Sequence, residues 1–353
     1  MASPAQQQRV GEESRCGFAL ARSKSLSHEL RWNPLLDEWV ILSGGREERP
    51  WREEFCPFCP GGPETQGDWD VLSLPNRYPA LSLEAPEPSG TTSFSRSRAL
   101  GVCEVVIETR EHEGDFHNFP LGQVSKFISL LAERTSELGS IQHIKQVMPF
   151  KNKGALIGVS LSHPHSQLYA LPFVPPRISR EIASLEQFMA KHNRNLFDAI
   201  LGWEREERTR LIYGNEAFTV VLPFFAMWPY ESHIYCSMPL SSLMDLDERS
   251  QLMLADAIRA TTATYEELFG KECAYVMVFH QAPSKGNHQG YRLHVEFYTP
   301  HISRDRIKYA AGIELGAGTF TYDGIPEDRA TVLREATGRA LEKIEHTGRI
   351  LEP

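Results

Sequence analysis

No run of roughly 18–20 continuous apolar residues occurs in the 353-residue chain, so the sequence offers no helix able to span a bilayer. Basic residues are the minority: 37 Lys and Arg stand against 46 Asp and Glu, a net charge of −9. That balance argues against a general nucleic-acid binder, whose phosphate contacts need a basic face. It leaves room for a small phosphorylated ligand, which a few local cations would hold. No Gly-x-Gly-x-x-Gly follows a strand and no Walker loop is present, so neither common nucleotide-binding loop is available. Cysteine is sparse: Cys16, Cys56, Cys59, Cys103, Cys236 and Cys273. Four of these are scattered through apolar or irregular contexts, which suits a reduced cytoplasm better than a disulfide scaffold. The first 27 residues lack the apolar core of a secretory signal and read as a mobile tail. The rest has the composition of an ordinary globular protein, long enough for a large core or two sub-domains.

The densest chemistry lies in His163-Pro164-His165-Ser166-Gln167. In an extended chain, positions i, i+2 and i+4 share a face. That face carries His163, His165 and Gln167: two imidazoles and an amide, a set that packing alone does not call for. A neutral His165 with one nitrogen fixed by an acceptor would act as a nucleophile through the other. Attack on phosphorus would give a phosphoramidate, with Gln167 and nearby cations holding the non-bridging oxygens. Arg46 and Arg49 follow the first strand, and Asn152-Lys153-Gly154 precedes the motif. Arginine suits phosphate because its fork binds two oxygens. Gly154, Gly158 and Ser160 are small enough to let backbone N–H groups approach a ligand.

Cys56-Pro57-Phe58-Cys59 has the spacing of half a zinc site. His112 and His163 are the natural remaining ligands, with His117 competing for the place of His112. The competing reading is a redox pair or two buried thiols, although Pro60-Gly61-Gly62-Pro63 forbids the helix a thioredoxin-like motif needs. A second set, Glu181, His280, His294 and Glu296, mixes imidazole and carboxylate ligands suited to zinc or iron. A buried hydrogen-bonded network explains it equally well.

The order of elements repeats. Val102–Thr109 reads as a strand, and residues 30–43 as a turn followed by a strand. Val124, Phe127, Ile128 and Leu131 mark a helix that stops at Gly139, with strands expected at 144–150 and 155–171. In the second half, strands at Phe218–Pro223 and His233–Ser237 precede a helix from about Asp247 to Gly270, then strands at Tyr275–His280 and Tyr291–Tyr298. His163 lies 24 residues after Gly139 and His294 lies 24 after Gly270, so His-Pro-His aligns with His-Val-Glu.

The chain resembles the galactose-1-phosphate uridylyltransferase family of the histidine-triad superfamily. The resemblance runs from about Leu30 to Leu341. It rests on Arg31-Trp-Asn-Pro-Leu-Leu-Asp-Glu-Trp-Val40, Arg46-Glu-Glu-Arg-Pro-Trp51, Cys56-Pro-Phe-Cys59, Pro75-Asn-Arg-Tyr-Pro-Ala80 and Phe150-Lys-Asn-Lys-Gly-Ala155. The later motifs are His163-Pro-His-Ser-Gln167, Trp228-Pro-Tyr-Glu231, His280-Gln-Ala-Pro283, Leu293-His-Val-Glu-Phe-Tyr298 and Ala311-Gly-Ile-Glu-Leu-Gly-Ala-Gly318.

It implies an α+β fold: two histidine-triad-like halves forming an open, mainly antiparallel half-barrel sheet with helices packed outside, usually dimeric. The halves would be 28–175 and 176–353, after the tail 1–27. It implies a double displacement in which His165 takes UMP from UDP-glucose and passes it to galactose 1-phosphate, with Gln167 on the transferred group. Arg46, Arg49, Asn76, Asn152, Lys153, Gly158, Ser160, Lys308 and Glu314 are the implied substrate-binding set. Cys56, Cys59, His112 and His163 match a zinc site. Glu181, His280 and His294 match a second metal site, of iron or zinc, in which Glu296 stands where some members carry histidine. Ser160-Leu161-Ser162, where the family commonly has Ser-Asn-Pro, resembles the ADP-glucose phosphorylase-like branch. The expectation is therefore a cytoplasmic nucleotidyltransferase and homodimer, with neither nucleic acid nor membrane as partner. An adenylyl-transferring phosphorylase and a non-catalytic metal-bearing nucleotide binder are the rivals. Labelling with UDP- or ADP-sugars separates the three.

Overall fold

Val124, Phe127, Ile128 and Leu131, spaced to share one side of a helix, are all fully buried in α1 (Leu121–Ser140). Each such side chain contributes about 1.5–3 kcal/mol by leaving water, so one stripe docks the helix. The computed structural model describes residues 28–44, 55–159 and 161–353. Arg46, Arg49, Ser160 and the 1–27 segment lie outside the described residues.

The strands before α1 are β1 (His28–Asn33), β2 (Glu38–Ser43), β3 (Leu72–Pro75), β4 (Arg96–Arg98) and β5 (Val102–Ile107). After it come β6 (Gln146–Lys153), β7 (His165–Leu171), α2 (Pro176–His192), α3 (Leu196–Glu207), β8 (Leu211–Gly214), β9 (Phe218–Val221) and β10 (Ser232–Cys236). The last elements are α4 (Glu248–Phe269), β11 (Tyr275–His280), β12 (His294–Tyr298), α5 (Gly312–Ala317), α6 (Pro326–Leu341) and β13 (Arg349–Ile350).

Ten strands form one open sheet in the order β13-β8-β9-β10-β12-β11-β6-β7-β5-β3, every pairing antiparallel. The order is symmetric about the β6–β11 pair, with β7, β5 and β3 on one side and β12, β10 and β9 on the other. α1 precedes β6 as α4 precedes β11, so the repeated order read in the sequence is the order of the sheet. The end strands do not meet, and the barrel stays open. α1 and α4 cover one face, where Val106, Val147, Leu168, Met277, Phe279 and Val295 join them in one core. α2 and α3 pack against Leu211, Val221, Tyr235 and Tyr291, which point to the other face. A small sheet, β2-β1-β4, stands beside the large one. None of the described helices is long and apolar enough to cross a membrane.

Four local expectations change. Gly139 does not end α1; the helix continues through Ser140. A side chain at 139 would meet the Ser284 hydroxyl at 2.9 Å, so glycine serves close packing there, not a left-handed turn. Gly270, by contrast, has φ +83° and does end α4, which opens on Asp247 as its N-cap. Residues 30–43 form a hairpin of two strands (β1 and β2), turning through Asp37 at φ 57°. Residues 155–159 and 161–164 are not strand: Gly154 (φ +95°) and Gly158 (φ +79°) break the extended chain around a short 3₁₀ turn, and β7 begins at His165. α2, α3 and α6 were not anticipated, because their apolar positions are few and interrupted by charge.

Candidate functional site

Residues directly opposed across an antiparallel ladder share a face. Ile107 is opposite His165, Phe150 faces both Gln167 and Val278, and Val276 faces Asn152. Val278 in turn is opposite Glu296, and His280 is opposite His294. His165, Gln167, Asn152, His280, His294 and Glu296 therefore rise from one face of the sheet, the one that α1 and α4 leave uncovered.

His165 is half-buried at the first position of β7. Its Nδ1 lies 2.8 Å from the carbonyl oxygen of His163. A carbonyl only accepts, so Nδ1 carries a proton, and in the neutral ring the in-plane lone pair resides on Nε2. The Phe58 ring stands 5.4 Å from the imidazole, centroid to centroid. An open cleft of about 640 Å³, within the range of small-molecule sites, is lined by His163, His165, Asn152, Lys153 and Lys271 among others.

Cys56, Cys59, His112 and His163 each aim one ligand atom at a common point, and all four atoms lie within 4.8 Å of one another. His163 Nδ1 is 3.6 Å from Cys56 Sγ and 3.8 Å from Cys59 Sγ, and His112 Nδ1 is 3.3 Å from Cys59 Sγ. Ligands at the usual Zn–S and Zn–N lengths on a tetrahedron stand about 3.5 Å apart, so the donor set fits zinc as it stands. Each imidazole is oriented from behind: His163 Nε2 is 2.9 Å from the Thr109 carbonyl, and His112 Nε2 is 3.1 Å from Ser162 Oγ. Metal-bound histidines are held in this manner. Burial and the adjacent Cys56 push the Cys59 thiol above its ordinary value, a repulsion that a divalent cation would reverse. His117 is not a member: it is buried against the Glu266 carboxylate, away from the thiols. The described cysteines are all free thiols.

The second set also converges within 4.8 Å. His280 Nδ1 is 2.9 Å from Glu181 Oε1, and His280 Nε2 is 3.4 Å from Glu296 Oε2. His294 Nε2 is 3.6 Å from Glu296 Oε1, while its Nδ1 is fixed by the Arg292 carbonyl at 2.9 Å. The sequence did not point to the surroundings. Tyr291 donates to Glu181 at 2.5 Å, His233 stands 3.5 Å from Glu296, and Arg177 stands 3.1 Å from it. Burial alone would raise the Glu296 pKa, but His280, His233 and His294 hold it well below the usual range. Glu296 is thus already contacted by Arg177 and by imidazole nitrogens, and the same two nitrogens and two oxygens would serve a metal.

The remaining candidates are dispersed. Asn76 follows β3 at the level of Cys103, where its side chain accepts from the Tyr78 amide at 2.9 Å. Gly158 is left-handed at the base of the loop before the motif. Lys153 points away from Asn152, to Asp115 at 3.3 Å and the Lys271 carbonyl at 3.2 Å. Lys308 and Glu314 are buried, capped by the exposed Thr321 and Asp323 in a separate knot, and do not line the cleft.

One cluster escaped the sequence reading. Glu108, Lys151 and Asp115 are buried beneath the cleft. Lys151 pairs with Glu108 and lies 3.4 Å from Asp115, and Tyr275 donates to Asp115 at 2.8 Å. Burial opposes ionisation of Asp115, but Lys151 and Lys153 outweigh it and hold the pKa at about 2. The only signal was a lysine two positions from another in a strand, which is ordinary on a surface.

Comparison with known proteins agrees with this geometry. The model of the galactose-1-phosphate uridyl transferase N-terminal domain matches residues 19–175, and that of the C-terminal domain matches 181–347. A galactose-1-phosphate uridylyltransferase from Thermotoga maritima is 36% identical over 313 residues, covering 87% of this chain and 98% of the relative. The Saccharomyces cerevisiae enzyme of that name is 28% identical over 354 residues, covering 89% and 96%. A solved uridylyltransferase superposes with a TM-score of 0.82 at 38% identity, covering 89% of this chain and 99% of that one. An ADP-glucose phosphorylase from Arabidopsis thaliana with bound ADP-glucose gives a TM-score of 0.68 at 26% identity, covering 88% and 99%. The chain is a transferase enzyme and belongs to the galactose-1-phosphate uridylyltransferase family.

Proposed function

We propose that this protein moves a uridylyl group from UDP-glucose to galactose 1-phosphate through a covalent histidine intermediate. The observation that carries the reading is the His165 imidazole at the cleft, with its Nδ1 hydrogen committed to the His163 carbonyl 2.8 Å away. In the first half-reaction, Nε2 bonds to the α-phosphorus of UDP-glucose. The bond from that phosphorus to the bridging oxygen breaks, and glucose 1-phosphate leaves with the electron pair. In the second, a phosphate oxygen of galactose 1-phosphate bonds to the same phosphorus and the P–N bond breaks, which gives UDP-galactose and restores the imidazole. Gln167, two residues on and on the same face, is assigned to the non-bridging oxygens. Arg46, Arg49, Asn76, Asn152, Lys153, Gly158 and Ser160 are assigned to the nucleotide and sugar phosphate.

Zinc is assigned to Cys56, Cys59, His112 and His163. A closed four-ligand set of this kind supplies folding energy and leaves no open position for substrate. Here it would pin the residue whose carbonyl orients His165. Reduced thiol ligands suit the cytoplasm. Glu181, His280, His294 and Glu296 are assigned a second ion, zinc or iron. Residues 28–175 and 176–353 are read as the two halves. Lys308 and Glu314 order the 308–323 segment, whose exposed Tyr309 and Leu315 a second copy would cover in a homodimer.

The test is a substrate screen. With UDP-glucose the protein is expected to release glucose 1-phosphate, and with galactose 1-phosphate added to form UDP-galactose. Release from ADP-glucose alone would instead favour the phosphorylase reading, which Ser160-Leu161-Ser162 and the 26%-identical neighbour support. Release from neither would favour a non-catalytic nucleotide binder.

A further inference from the structure

We propose that Glu108 is a positioning residue for His165, acting from the reverse side of β7 through Ser166. The proposal rests on the reading of His165 as the group that bonds to phosphorus. Residues 107–109 grip 163–166 at successive points. Ile107 pairs with His165 in the ladder, and the Glu108 amide donates to the Pro164 carbonyl at 3.2 Å. The Thr109 carbonyl takes His163 Nε2 at 2.9 Å, and Glu108 Oε1 accepts the Ser166 hydroxyl at 2.6 Å. Ser166 points to the opposite face from His165 and Gln167, so its bond to Glu108 contacts neither the His165 ring nor the His163 ring. Its consequence for chemistry runs through the backbone. The carbonyl that fixes His165 Nδ1 belongs to His163, inside the gripped segment.

The charge is the part that stability does not explain. Glu108 is 1% exposed and Lys151 3%. Lys151 pairs with Glu108 and lies over the Phe116 ring at 4.4 Å. Taking both charges out of water is costly, and a well-packed apolar pair commonly stabilises a core as well or better. A carboxylate oxygen does what an apolar group cannot: it accepts a hydrogen bond in a fixed direction. Here the bond is to Ser166, next to the reacting imidazole.

The experiment uses the full chain with ¹⁵N-labelled histidine, and His165→Gln locates the resonance of His165. Wild type should show the Nδ1–H tautomer. Ser166→Ala should show mixed tautomers and transfer from UDP-glucose slowed about tenfold with KM changed less than about twofold. Glu108→Gln/Lys151→Met, which drops the ion pair but keeps an acceptor for Ser166, should keep most of the wild-type rate. Ser166→Ala that keeps both the tautomer and the rate overturns the proposal, however much stability it loses, and decides alone should Glu108 variants fail to fold. A wild type that forms no covalent adduct while Ser166→Ala still mixes the tautomers sinks the transfer reading and leaves the positioning intact.

Discussion

His163 turns its imidazole toward Cys56 and Cys59 while its backbone carbonyl accepts the Nδ1 hydrogen of His165 at 2.8 Å. One residue thus belongs to the thiol cluster and also sets the tautomer of its neighbour. Disturbing the cluster should reach the chemistry through the chain and not through space.

Cys59→Ser should lower zinc by about one equivalent per chain and lower the melting temperature by several degrees, since a lost structural ion removes folding energy. Elemental analysis beside a thermal scan checks it. Normal zinc in that variant contradicts the four-ligand site.

Acid should weaken the network under the cleft. The Asp115 pKa is depressed in the fold, so its stabilising contribution is complete above the unfolded value near 4 and disappears as pH falls through about 2. The depression corresponds to roughly 2 kcal/mol at neutral pH. Urea midpoints of wild type and Asp115→Asn should therefore differ at pH 6 and converge between about pH 4 and pH 2. A gap that stays constant over that window contradicts the assignment.

Gly154→Ala should destabilise the protein by about 1–3 kcal/mol. The position has φ +95°, and an added methyl would stand 2.8 Å from the Ala274 methyl carbon. Denaturant unfolding measures it, and a cost below half a kcal/mol would mean that the loop before the motif adapts freely.

What the sequence made legible was whatever repeats or clusters locally. The stripe Val124–Leu131 announces α1, Asp247 and Gly270 bracket α4, and the Cys-x-x-Cys spacing with His112 and His163 names four side chains whose ligand atoms lie within 4.8 Å of one another. Relations made only by the sheet were not legible. Glu108 meets Lys151 because β7 lies between β5 and β6, and His233 joins the second cluster because β10 pairs with β12. Gly139 was misread because a glycine needed for close approach to Ser284 looks, in sequence, like one needed for a left-handed cap.

The central claim is tested most directly by mixing the protein with UDP-glucose alone, quenching, and mapping the modified peptide by mass spectrometry. The account predicts one uridylyl group per chain, on His165, and none on His165→Gln. An adduct on any other residue, or turnover retained by His165→Gln, would contradict it.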